Sequence, residues 1–137
     1  MTANEETRSL PIGLFGASTG GGAALVAAAQ RPNTVRAVVS RGGRPDLAGA
    51  ALSRVRAPTL VIVGGRDHAV IELNREAFER LRCEKKLEIV PGATHLFEEP
   101  GALEEVAQLA RDWFRRFLAP PAAGVRPSRE RKPEARS

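Results

Sequence analysis

A chain of 137 residues, 42% of them hydrophobic, can bury one core and is too short for a second domain. Its net charge of +5 does not make it a nucleic-acid binder: five Arg or Lys and two Glu from Ala119 onward leave only about +2 on the body, and an aromatic content of 4% offers few rings to stack on bases. A single cysteine, Cys83, excludes a disulfide framework, and the absence of an apolar run of about 18 residues excludes a membrane-spanning helix; with a polar Met1–Ser9 in place of a signal peptide, a cytoplasmic, reducing location is expected.

After a polar segment over residues 1–10, the stretch 11–16 reads as a short apolar strand. It runs into Gly16-Ala17-Ser18-Thr19-Gly20 and then an alanine-rich helix over 19–31. A Gly-x-Ser-x-Gly turn between strand and helix mounts a nucleophilic serine, because the serine backbone is strained and the glycines two residues to either side have no Cβ to clash. The segment lacks the Gly-Lys-Ser/Thr of a phosphate loop and the Gly-x-Gly-x-x-Gly spacing of a dinucleotide site. A plain alternative for Ser18 is a turn residue capping the helix that follows.

A second strand is expected over 35–40, followed by Arg41-Gly42-Gly43-Arg44 at the same rim as Ser18 and a short helix or turn near 46–54. Guanidinium groups suit bidentate capture of anions, so Arg41 and Arg44 are candidates for binding a substrate carboxylate or phosphate; the alternative is a solvated glycine loop. A third strand over 59–64 ends in a glycine turn that presents Asp67, ahead of a helix over 71–82 that Asp67 could merely cap. His68, adjacent to that acid in the chain, reads as a surface residue.

The strand over 86–91 repeats this pattern and presents His95, either as a base or as a loop histidine packed by Leu96 and Phe97. The last helix, 102–118, carries Leu103, Val106, Leu109, Ala110, Trp113, Phe114 and Phe117 at spacings of three and four, one apolar stripe for a sheet. Pro100 and Gly101 precede it, and Pro120 and Pro121 stop it. The residues from 119 to 137 are basic and Pro-rich with little to bury, and are expected to be a disordered tail. Strand and helix alternate throughout, so the fold class is α/β, a three-layer sandwich with a mostly parallel sheet of about four strands in chain order.

Serine, then aspartate, then histidine, each just past the end of a strand, is the order in which a nucleophile, the acid that orients its base and that base occur in α/β-hydrolases. Gly-Ala-Ser-Thr-Gly, Gly-Gly-Arg-Asp-x-x-Val and Pro-Gly-Ala-Thr-His resemble the three catalytic turns of that superfamily. They are most similar to its dienelactone hydrolase-like group, including the small versions attached to phosphoribosyltransferase domains. The resemblance covers residues 11–118 and implies a truncated α/β-hydrolase fold, its C-terminal half. It further implies a serine hydrolase acting on an ester or related acyl substrate, with Ser18 as nucleophile, His95 as base, Asp67 as orienting acid and the Thr19 N–H as one oxyanion donor. Dienelactone hydrolases proper have a cysteine where this chain has Ser18, so lactone specificity does not carry over. The N-terminal strands and the loop that would supply a second donor are expected to be missing. A second reading follows: a hydrolase-like half domain of weak or no activity, kept for binding or assembly.

No His/Cys cluster has metal-ligand spacing, and no cofactor is implied. An apolar strand over 11–15 without its usual neighbour invites pairing at that edge, so a homodimer or a partner chain is expected there, with neither nucleic acid nor membrane as partner.

Overall fold

The computed structural model describes residues 11–118. Four runs of aliphatic and β-branched residues pair into one parallel sheet in strict chain order: β1 (Ile12–Ala17), β2 (Val35–Arg41), β3 (Thr59–Gly64) and β4 (Lys85–Val90). All six residues of β3 are buried, the pattern of a central strand covered on both faces. β1 and β4 are the two edges among the described residues.

Helices α1 (Thr19–Gln30), α2 (His68–Arg80) and α3 (Ala102–Leu118), with a 3-10 segment over Pro45–Arg54 broken at Gly49, complete the fold. Side chains of β2 alternate between the two faces, and the core divides accordingly. On one face Val38 packs with Leu25 and Ala28 of α1, Leu52 of the 3-10 segment, and Ala77 and Leu81 at the end of α2. On the other, Ala37, Val39, Leu60 and Ile62 receive Val106, Ala110 and Trp113 of α3. The result is the expected three-layer α/β sandwich. α1 has almost no amphipathic pattern and docks through its smallest residues instead, burying Gly21, Gly22, Leu25 and Ala28.

Two details differ from the sequence reading. α2 begins at His68 and ends at Arg80, earlier at both ends than 71–82, because the Lys85 ammonium donates to the carbonyls of Phe78 and Leu81 at 2.8 and 2.9 Å and so satisfies the last turn there. In α3, Leu103 lies outside the apolar stripe and is 53% exposed, while Ala102 is buried in its place. Phe15, in the strand expected to lack its usual neighbour, is 49% exposed at the β1 edge. The segment assigned to residues 1–10 and the tail assigned to 119–137 lie outside the described residues. Among the described residues, no helix is long and apolar enough to cross a membrane.

Candidate active site

The three turns that carry Ser18, Asp67 and His95 leave the sheet at the carboxyl ends of β1, β3 and β4, and backbone contacts draw them together. Ser18 sits at φ 53°, ψ −127°, a conformation that side-chain-bearing residues rarely adopt, between the end of β1 and the first turn of α1. Its carbonyl accepts from the N–H groups of Gly21 at 3.0 Å and Arg44 at 2.9 Å, which ties the serine turn to the loop after β2. Gly16 is required here, since a Cβ on it would collide with the backbone of Gly20. Gly20 is not: a Cβ there meets nothing within 4 Å beyond its own helix backbone. Gly21 takes over that role, because a side chain on it would strike Ser40 and Gly43.

The Asp67 and His95 turns are joined through the end of β3. The Gly65 N–H donates to the Val90 carbonyl at 2.8 Å and the Arg66 N–H to the Ala93 carbonyl at 3.0 Å. A Cβ on Gly64 would lie 2.8 Å from the Thr94 carbonyl, so only glycine lets the two turns approach this closely.

Ser18 Oγ lies 3.1 Å from His95 Nε2, and His95 Nδ1 lies 2.8 Å from Asp67 Oδ2. With the imidazole proton on Nδ1, the histidine donates to Asp67 and its free Nε2 accepts from the serine hydroxyl. Both Ser18 and Asp67 occupy the residue just ahead of a helix, yet neither side chain caps it. The capping alternative therefore does not describe either residue. The His95 side chain is 40% exposed and that of Asp67 only 18%, so the acid is sheltered behind a base that solvent can reach.

Of the two neighbours expected to pack His95, one is buried in the core, and further residues that the sequence did not single out support the loop. Phe97, also at positive φ (57°), is fully buried in the α3-side core and anchors the loop. Leu96, expected to pack the histidine, is 58% exposed instead. Glu99 accepts from the Thr94 N–H at 3.1 Å and the Thr94 hydroxyl at 2.7 Å, and these bonds hold its carboxyl below the usual glutamate range. Gly42, at φ +53°, lets the loop after β2 pass beneath, where a Cβ would be 3.3 Å from the His95 carbonyl. Asn74 of α2, fully buried, donates to the Gly43 carbonyl at 3.1 Å and steadies that loop from below. The adjacent glycines after β2 were a usable signal. Positive φ at a phenylalanine has none.

The remaining candidates are placed as follows. Thr19 lies in the first turn of α1, where backbone N–H groups have no intrahelical acceptor. Arg44 forks onto Asp46 with bonds of 3.0 and 2.9 Å, which raises its own pKa and lowers that of Asp46. Its guanidinium is thus engaged within the chain. Arg41 lies 5.4 Å over the Phe97 ring and, among the described residues, pairs with no carboxylate. His68 is exposed at the start of α2.

Comparison with known proteins gives this geometry its context. The model of the dienelactone hydrolase family matches residues 1–119. A dienelactone hydrolase structure from Anabaena variabilis is 65% identical and superposes with a TM-score of 0.81 over 85% of this chain and 54% of its own. A CIB-like hydrolase from Thermoplasma acidophilum, 28% identical, gives a TM-score of 0.66 over 85% of this chain and 55% of its own. A Mycobacterium tuberculosis protein named "Putative phosphoribosyl transferase" is 62% identical over 121 residues, which is 88% of this chain. The chain spans 27% of the length of that curated relative.

Proposed function

This chain belongs to the dienelactone hydrolase family, and on that premise we propose that it is a serine hydrolase of esters or related acyl compounds in which Ser18, His95 and Asp67 act as a triad. The observation that carries this reading is the continuous link from Ser18 Oγ through both nitrogens of His95 to Asp67, at 3.1 and 2.8 Å, on a serine whose own backbone is strained. Strain at an isolated residue costs about 1–3 kcal/mol and persists where the surrounding structure imposes it, most often at sites of chemistry.

In the first half of the reaction Ser18 Oγ attacks the acyl carbonyl and its proton passes to His95 Nε2. The positive charge that forms on the imidazole is balanced by Asp67, which keeps the ring in one tautomer. His95 then gives the proton to the departing alkoxide, leaving an acyl group on Ser18. Water attacks that ester with His95 again as base, and the acid is released. In this proposal the Thr19 N–H, one residue beyond the nucleophile in the first turn of α1, binds the carbonyl oxygen as it becomes negative. Arg41, half-buried and without an acidic partner among the described residues, is the residue we assign to an anionic group on the substrate.

A fluorophosphonate probe tests the proposal. Covalent labelling of the wild-type chain that disappears in Ser18→Ala, and falls sharply in His95→Ala, is the expected result. Failure to label under conditions that label an ordinary esterase would favour the second reading, a hydrolase-like module for binding or assembly. The feature in favour of that reading is that, among the described residues, only the Thr19 N–H is assigned as an oxyanion donor where such sites use two.

A further inference from the structure

We propose that Asn74 is a positioning residue for the nucleophile: its side-chain amide fixes the peptide between Gly43 and Arg44, and that peptide holds the Ser18 turn in its strained conformation. The inference rests on the reading of Ser18 as nucleophile. Asn74 is fully buried on α2, the helix that begins one residue after Asp67. Its Nδ2 donates to the Val70 carbonyl of the preceding turn at 2.8 Å and to the Gly43 carbonyl at 3.1 Å, so both amide protons are committed and the group cannot rotate without breaking a bond. Its Oδ1 is buried with no partner among the described residues. An orphaned acceptor lowers stability, so packing alone would favour an apolar side chain here. What asparagine adds is the donor to Gly43.

The Gly43 carbonyl and the Arg44 N–H belong to one planar trans peptide and point to opposite sides of the chain. Asn74 holds the carbonyl, and the N–H donates to the Ser18 carbonyl at 2.9 Å. Fixing one end of the plane therefore aims the other. The Ser18 carbonyl also accepts from the Gly21 N–H at 3.0 Å, but that bond lies within the serine turn itself; the Arg44 bond reaches it from the loop after β2 and restrains Ser18 at φ 53°. The approach is close, since a Cβ on Gly43 would strike Ser40 Oγ and lie 3.2 Å from the Ser18 carbonyl. On the other side, the Gly42 N–H donates to the Ile62 carbonyl at 2.7 Å, so the loop is anchored to β3 at Gly42 and to α2 at Gly43. Gly43 is buried, and among the described residues no backbone N–H donates to its carbonyl. Without the Asn74 amide this carbonyl is left unpaired, and the peptide that turns to satisfy it carries the Arg44 N–H away from Ser18.

The test compares Asn74→Leu, which replaces the amide with an apolar group of similar size, with Ala77→Gly, which weakens the same helix but removes no hydrogen bond of the loop. Fluorophosphonate labelling of Ser18 should slow about 10- to 100-fold in Asn74→Leu, with the fall in the covalent step at saturating probe and not in probe affinity; Ala77→Gly should label at the wild-type rate per folded molecule. Amide exchange at the Arg44 N–H, followed by NMR, should be about tenfold or more faster in Asn74→Leu than in the control. If Asn74→Leu fails to fold, the wild type decides: its Asn74 side-chain amide protons should exchange as slowly as protected backbone amides of α2, and free exchange there overturns the proposal. So does labelling of Asn74→Leu at the wild-type rate, an equal fall in Ala77→Gly, or Arg44 exchange no faster than in the control. A wild-type chain that is not labelled at all refutes the hydrolase reading instead, and Arg44 exchange then decides whether Asn74 holds the turn.

Discussion

At Ser18 the sequence asks a residue with a side chain to occupy backbone space that glycine prefers, and the comparison of two substitutions isolates that demand. Ser18→Gly and Ser18→Ala both remove the hydroxyl, but only alanine retains the Cβ. Ser18→Gly should be the more stable by about 1–3 kcal/mol in urea titrations, despite the greater freedom of its unfolded chain. Equal stability would mean that φ 53° costs nothing there. At Glu99 the relevant variable is pH. Its carboxyl has a lowered pKa in the folded chain because Thr94 donates to it twice, so the stabilisation is fully present above the ordinary glutamate value and is lost as pH falls through the lowered one. Below about pH 4 the wild type should lose melting temperature more steeply than Glu99→Gln, which carries no titrating group at that position. Parallel acid limbs would show that the loop gains nothing from ionised Glu99.

The elements are positioned by close approach more than by bulk, and the glycines around Ser18 make this measurable. Gly16→Ala forces a Cβ into the Gly20 backbone, which has no flexible end to move aside, and should unfold the chain or remove several kcal/mol of stability. Gly20→Ala fills open space inside the first turn of α1 and should stabilise by about 0.5–1 kcal/mol. The motif gives both glycines equal weight. Denaturant midpoints for the two variants that move in the same direction would contradict the geometry. On the far face α3 depends on Trp113, which is 5% exposed and donates from Nε1 to the Pro58 carbonyl at 3.2 Å. Trp113→Ala should cost about 3–5 kcal/mol through the cavity it leaves under the sheet, while the Pro58 carbonyl keeps its bond from the Val38 N–H at 2.9 Å.

For the molecule as a whole, the number of oxyanion donors that accompany the proposed triad governs how fast the proposed chemistry runs, and among the described residues only the Thr19 N–H is assigned that role. Removing one such donor costs about 100- to 1000-fold in rate. The chain should therefore be labelled by a fluorophosphonate more slowly than an ordinary esterase by a factor in that range, with Ser18 as the modified residue. Labelling at the full esterase rate would mean that a second donor is present. Cys83 provides a control for such chemical probes. Burial pushes its thiol pKa up, so it should resist alkylation at neutral pH in the folded chain and react readily in urea.

The sequence by itself determined the order of the elements and the family of the fold. Aliphatic runs, glycine turns and the stripe of α3 are local patterns, and a parallel sheet wound in chain order follows from them with little choice. It also placed Ser18, Asp67 and His95 after three of the four parallel strands, which brings them to one rim of the sheet whatever the details. Only the tertiary structure decided which way their side chains turn. Ser18 and Asp67 stand where helix caps stand, and a one-dimensional reading cannot separate a cap from a partner of His95. The distinction is made by contacts between residues 77 and 28 positions apart. The same holds for Gly20, open where the motif suggested crowding, and for Phe97, at positive φ and fully buried in the core. Each of these depends on what lies across a gap in space, and local pattern carries no record of that.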